Sequence, residues 1–98
     1  MKTAYILGRE IANKDELHGS IAQQLDFPDY YGGNLDALYD VLSTSAEPCR
    51  IIIMDREDLS RHLGDYFRRF LRVLLDVSLE NGAVSFALWD APEDIPEL

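Results

Sequence analysis

Asp36 and Asp40 stand one helical turn apart in the stretch YYGGNLDALYDVL, residues 30–42. Two carboxylates at that spacing can do several kinds of chemistry. As a general acid and base they would act on a bound substrate. Adjacent helical turns, however, point both groups the same way and leave no space for a substrate between them, and the stretch holds no histidine or lysine. As metal ligands, two monodentate aspartates on one helix would leave most of a coordination shell unfilled. As acceptors for cationic groups they are better placed, because carboxylates receive guanidinium forks through paired hydrogen bonds. The neighbours suit that third use. Tyr30 and Tyr39 are of a residue type that anchors interfaces, and glycines such as Gly32 let a partner's backbone come close. On spacing alone, a fourth reading stands ahead of these: the carboxylates simply solvate an outer helix face.

The helix that would present them begins at Asn34, a good N-cap residue, and is expected to run to about Ser45, with Pro48 closing the segment. At about 100° per residue, Asp36 and Asp40 fall about 40° apart, with Tyr39 and Ser43 in the same sector. Leu35, Leu38 and Leu42 form a separate stripe more than about 100° away. The leucines hold the helix down while the carboxylates point out. Like charges at this spacing cost a few tenths of a kcal/mol. Asp36 recovers some of that near the positive end of the helix dipole, but Asp40, a turn further on, gains less. Local stability therefore offers no strong reason for Asp40.

The remaining elements follow from the same patterns. Residues 4–7, AYIL, read as a buried first strand that Gly8 ends. Asn13 and Glu16 have the spacing of a capping box for a first helix, whose Leu17, Ile21 and Leu25 face inward, and Pro28 stops anything beyond. RIIIM, residues 50–54, is a continuous apolar run of the kind covered on both faces. Asp55 is a plausible cap for a short helix, and Gly64 separates it from a longer one with Phe67, Phe70, Leu71 and Leu74 inward. Gly82 is expected to supply a left-handed stop before a third strand, AVSFALW, residues 83–89. The order β-α-α-β-α-α-β predicts an α/β fold: a three-stranded parallel sheet, since strands joined through helices run parallel, packed with about four helices. The last nine residues, DAPEDIPEL, have little to bury and read as a flexible acidic tail beyond a domain of residues 1–89.

With 98 residues, of which 47% are hydrophobic, the chain fits one domain with a real core. No apolar run approaches the roughly 20 residues that span a bilayer, and the opening MKTAYILGREIANKDEL does not read as a signal peptide. The single cysteine, Cys49, excludes an intrachain disulfide and reads as a small buried hydrophobe in a reducing cytoplasm. Acidic residues number 18 against 9 basic ones, a formal net charge of −9, which would repel nucleic acid and favour a basic partner. His18 and His62 lack a nucleophile and carboxylate at motif spacing and read as surface or packing residues. Arg68, Arg69 and Arg72, interleaved with Asp65 and Asp76, read as a solvated face. Trp89 is expected to pack at the core edge.

The stretch DFPDYYGGNLDALYDVL, residues 26–42, resembles the signature of the barstar family of intracellular inhibitors of barnase-type ribonucleases. DELH at the start of the first helix, the apolar central strand and NGAVSFALW match in order and spacing, so the resemblance spans roughly residues 3–89. It moves the solvated-face reading behind the cation-accepting one. The family's fold, a small parallel sheet with helices, agrees with the pattern above. What the resemblance implies is a non-enzymatic inhibitor or immunity protein without cofactor or metal, a monomer that forms a one-to-one complex with a basic secreted ribonuclease and blocks its active site inside the cell that makes it. By the same resemblance, Asp40 takes the place of a substrate phosphate and Asp36 meets a second basic group. Tyr30 packs on the enzyme's catalytic histidine, and Gly32 permits close contact. Asn34, Tyr39, Ser43 and Thr44 complete the partner-binding surface. Tyr39 stands where the family often has tryptophan, and Thr44 and Ser45 replace a Gly-Trp pair. A further family glutamate aligns with Val77, leaving Asp76 and Glu80 unassigned. These departures keep open an alternative, an acidic binding module for a different basic toxin or partner.

Overall fold

The computed structural model describes residues 1–89; the expected acidic tail, residues 90–98, lies outside the described residues. Three strands, β1 (Lys2–Leu7), β2 (Cys49–Met54) and β3 (Val84–Trp89), form a parallel sheet in the order β1-β2-β3. Four α-helices connect them: α1 (Lys14–Leu25) and α2 (Leu35–Ser43) between β1 and β2, then α3 (Arg56–Leu63) and α4 (Asp65–Glu80) between β2 and β3. The fold is α/β with the element order and strand direction that the hydrophobic periodicity predicts.

Register explains the core. Ala4, Ile51 and Phe86 align across the sheet, as do Ile6, Ile53 and Leu88. Alternation puts Ala4, Ile6, Ile51, Ile53 and Val84 on the face that meets Leu17, Ile21, Leu38, Leu42, Leu59, Phe70 and Leu74 of the helices. The opposite face carries a second, smaller cluster of Ile52 and Met54 with Tyr5, Leu7 and Trp89. Both faces of the central strand are thus buried, as its unbroken apolar run requires. Trp89 belongs to this minor cluster rather than to the edge of the main core.

Several local expectations are corrected. Helix α2 ends at Ser43, not Ser45, and Leu35 and Leu71 are half-buried at the margin of the core rather than inside it. Asp55 does precede α3, but in the left-handed region (φ 56°), and its side chain makes no capping bond. It faces Arg9 instead, at 3.6 Å. Gly8 explains the tight path here: a Cβ on it would lie 2.2 Å from the Asp55 carbonyl oxygen. Gly82 is not left-handed; the glycines with positive φ are Gly33 and Gly64. Asn81 closes α4 in extended conformation, and its side-chain oxygen accepts from the Ala83 N–H.

Candidate functional site

Helix α2 is held at both ends and along one side. At its start, Asn34 Oδ1 accepts from the Ala37 N–H at 2.8 Å, the N-cap that the sequence predicts. Gly33, at φ +69°, turns the chain into that cap. Leu38 and Leu42 are fully buried, and α2 packs on α4. At its end the helix carbonyls, which have no partners within the helix, are satisfied from two sources. The Ser43 and Thr44 hydroxyls donate back to the Asp40 carbonyl, at 3.2 and 2.9 Å. Asn81 Nδ2, from beyond α4, donates to the carbonyls of Leu42 at 3.0 Å and Ser45 at 2.9 Å.

This clamping sets the rotation of the helix, and the rotation turns Asp36 and Asp40 to solvent. Among the described residues, no lysine or arginine pairs with either carboxylate. Between them in sequence, half-buried Tyr39 donates its hydroxyl to Glu80 of α4 at 2.5 Å. That hydrogen bond raises the Tyr39 phenol above its ordinary value; partial desolvation and then the charges of Glu80, Asp76 and Asp40 act in the same sense. Carboxylates of two helices therefore gather around one tyrosine. Asp76 is partly neutralised by Arg72, at 3.2 Å; Glu80 is exposed. The acidic patch is thus Asp36, Asp40 and Glu80, and the contribution of Glu80 becomes visible only when α4 is packed against α2.

The loop before α2 supplies the rest. Tyr30 is 88% exposed. With Thr44, Val41 and Pro28 it lines a hollow of about 310 Å³ beside the C-terminal half of α2. Gly32 is exposed, and a Cβ there would meet Ala37 Cβ only at 3.4 Å, an ordinary contact, so the fold itself does not require a glycine at this position. Of the eight residues singled out in the sequence, Tyr30, Gly32, Asn34, Asp36, Asp40 and Thr44 are exposed and Tyr39 and Ser43 half-buried, but the polar groups of four of them are already engaged within the chain. Asn34 is committed to capping. Tyr39 is committed to Glu80, and the Ser43 and Thr44 hydroxyls are turned onto their own helix end. Sequence reasoning left Glu80 unassigned and missed Asn81; their partners lie 36 to 41 residues away. An asparagine at the end of α4 is a weak sign that could have drawn notice.

His18 is buried, with Nδ1 2.6 Å from the Tyr31 hydroxyl and Nε2 2.6 Å from that of Tyr66. His62 is exposed, with Nδ1 2.7 Å from the Ile11 carbonyl. Cys49 is buried and its thiol is raised by that burial. Among the described residues, no three histidine, cysteine, aspartate or glutamate side chains converge as metal ligands. No described helix is long and apolar enough to cross a membrane.

A family model described as Barstar (barnase inhibitor) matches residues 1–91. The chain is also similar to a protein of Bacillus subtilis (strain 168) named "Putative ribonuclease inhibitor YrdF", with 37% identity over 81 residues, 82% of this chain and 89% of that relative.

Proposed function

The chain belongs to the barstar family, and on that premise we propose that it inhibits a basic, barnase-like ribonuclease by covering the enzyme's active site with the acidic face of α2. One observation carries this reading: Asp36 and Asp40 project from adjacent turns of a clamped helix and, among the described residues, meet no pairing lysine or arginine. A ribonuclease that binds RNA phosphates must hold several basic groups in a cleft. A preset pair of carboxylates can occupy phosphate positions there without reorganising, so little conformational entropy is lost on docking. Asp40 takes the central position and Asp36 a neighbouring one, while Glu80 extends the same charge across α4. Exposed Tyr30 supplies flat apolar area against the enzyme, and Gly32 lets the two surfaces approach. No bond is made or broken in this scheme, which assigns no catalysis to the chain; inhibition is steric and electrostatic.

The overall charge of −9 favours fast association with a cationic enzyme, and added salt slows it. Speed matters to a protein that guards the RNA of the cytoplasm in which a secreted ribonuclease is made. The test is titration of a barnase-like, guanyl-specific ribonuclease with this protein. Loss of activity at equimolar amounts supports the reading. Full activity at excess inhibitor rejects that target and favours the alternative, the same acidic face serving a different basic toxin or regulatory partner. The smaller anchor at Tyr39 and the Thr44-Ser45 pair, where the family has more aromatic surface, give that alternative its footing. Capture from host extract with wild type, using Asp40→Ala as the control, then identifies the partner's class.

A further inference from the structure

Helix α1 turns three of its buried residues, Leu17, Ile21 and Leu25, into the core, and a fourth, His18, is 2% exposed beside them. Burying an imidazole costs free energy unless its polar atoms are bonded. Both nitrogens are: the Tyr31 and Tyr66 hydroxyls each stand 2.6 Å away. The two tyrosines come from different parts of the chain, the loop before α2 and the first turn of α4. We propose that His18 is a positioning residue for the partner-binding face, tying Tyr31, and with it the adjoining Tyr30 and Gly32, to α1 and α4 in the arrangement that the partner meets. This rests on the inhibitor reading above for the word partner, but the tie itself does not.

The loop has other restraints, and they are short-range or apolar: Phe27 N–H donates to the Ala22 carbonyl at 2.9 Å, and the Phe27 and Tyr31 rings pack against the main core. Tyr31 N–H donates to the Pro28 carbonyl at 3.0 Å, and its ring meets Phe27 edge-on at 4.9 Å. These fix the local turn and apolar packing seats it on the core; the bonds of His18 add a directional polar link between the loop, α1 and α4. A neutral imidazole has one donor and one acceptor. One tyrosine hydroxyl therefore donates to the ring while the other accepts from it. A second proton makes both ring nitrogens donors, so the hydroxyl that had been donating must turn its proton away. Acidification thus loads the tie: the ring must carry a buried charge, and the displaced hydroxyl proton needs a new acceptor at Tyr31 or Tyr66.

The surroundings favour the neutral ring. Burial lowers the His18 pKa most, Asp15 opposes that, and Lys14 adds to it. From α4 come Tyr66 and Arg69, which with Lys14 flanks the Tyr66 ring at 5.3 and 5.5 Å respectively. Asp15, Asp26 and Asp29 line the hollow beside His18 and Tyr31. With its folded value below the usual 6.5, His18 binds fewer protons in the folded chain than in the unfolded one. Its contribution to stability is therefore complete above that pH and is lost as pH falls through the folded value.

The experiment follows the full chain by NMR from pH 8 to 5 and, in parallel, its affinity for a barnase-like ribonuclease. The Gly32 and Gly33 amides are expected to shift with the midpoint of the His18 ring, which lies below 6.5, and His18→Gln removes that coupling. At pH 7.5, His18→Gln weakens binding about tenfold, the equivalent of one buried hydrogen bond. As pH falls through the His18 midpoint, the gap between wild type and variant closes; the ribonuclease's own titration affects both alike and cancels in the ratio. Should His18→Gln fail to fold, Tyr31→Phe, which deletes the loop's hydroxyl and leaves both rings, is read in its place: the loop amides are then expected to stop following the His18 midpoint and binding to weaken. Loop amides indifferent to the His18 titration overturn the proposal, as does a folded variant with unchanged affinity and pH profile. If wild type binds no ribonuclease, the inhibitor reading fails, and the amide titration of the free chain still decides the tie.

Discussion

Helices α2 and α4 both bury an apolar side and present a charged one, but they treat their charges in opposite ways. On α4, Arg72 faces Asp76 at 3.2 Å, Arg68 lies 4.0 Å from Asp65, and Arg69 sits over the Tyr66 ring. Its outer face largely neutralises itself, as a solvated helix face does. On α2, Asp36 and Asp40 repel each other and meet no cation among the described residues. A face of one sign, held rigidly and left unpaired, costs a little stability and gains nothing inside the molecule. Such a cost is recovered when a partner brings the missing charge.

The largest test of this contrast pairs one change on each helix. Asp40→Ala is expected to weaken ribonuclease binding by about 2 to 5 kcal/mol, a range that the barnase–barstar pair itself helps to define, while leaving the thermal midpoint in place. Arg72→Ala should move neither binding nor stability by more than about 0.5 kcal/mol. Calorimetric titration and thermal melts of both variants check this, and equal losses of affinity would erase the distinction between the two faces.

A smaller effect probes how α2 is clamped. Asn81→Ala removes the side chain that α4 lends to the last carbonyls of α2, and should cost about 1 to 3 kcal/mol in urea unfolding. An unchanged midpoint would mean that the Ser43 and Thr44 hydroxyls suffice to hold the helix end.

The smallest separates two neighbouring glycines. Gly33→Ala places a Cβ at φ +69° and should lower stability by roughly 1 to 2 kcal/mol. Gly32→Ala should unfold like wild type, because its site has ordinary room, yet bind the ribonuclease more weakly. If Gly32→Ala binds normally, close backbone approach is not part of the interface.

Much of this was legible beforehand. The alternation of apolar runs with helical stripes gave three strands and four helices in the observed order, and Asn13 and Asn34 capped where expected. The misreadings were local ones at element ends. Gly82 looked like a left-handed stop, but α4 closes at extended Asn81, whose backbone N–H donates to the Val77 carbonyl while its side-chain oxygen holds the Ala83 N–H. Asp55 looked like a side-chain cap, but the close approach of Gly8 to its carbonyl holds the backbone elsewhere. Helix ends answer to tertiary neighbours more than to propensity, which is why their boundaries read least well.

What the sequence determined by itself was the segregation of α2. A period of about 3.6 residues puts leucines and aspartates on separate sides of any helix built from these residues. What only the folded chain decided was the company that this helix keeps. Glu80 reaches Tyr39 across 41 residues, and His18 joins Tyr31 and Tyr66 across 13 and 48. No short-range pattern encodes such meetings, because they arise when packing of the shared core brings α1, α2 and α4 side by side.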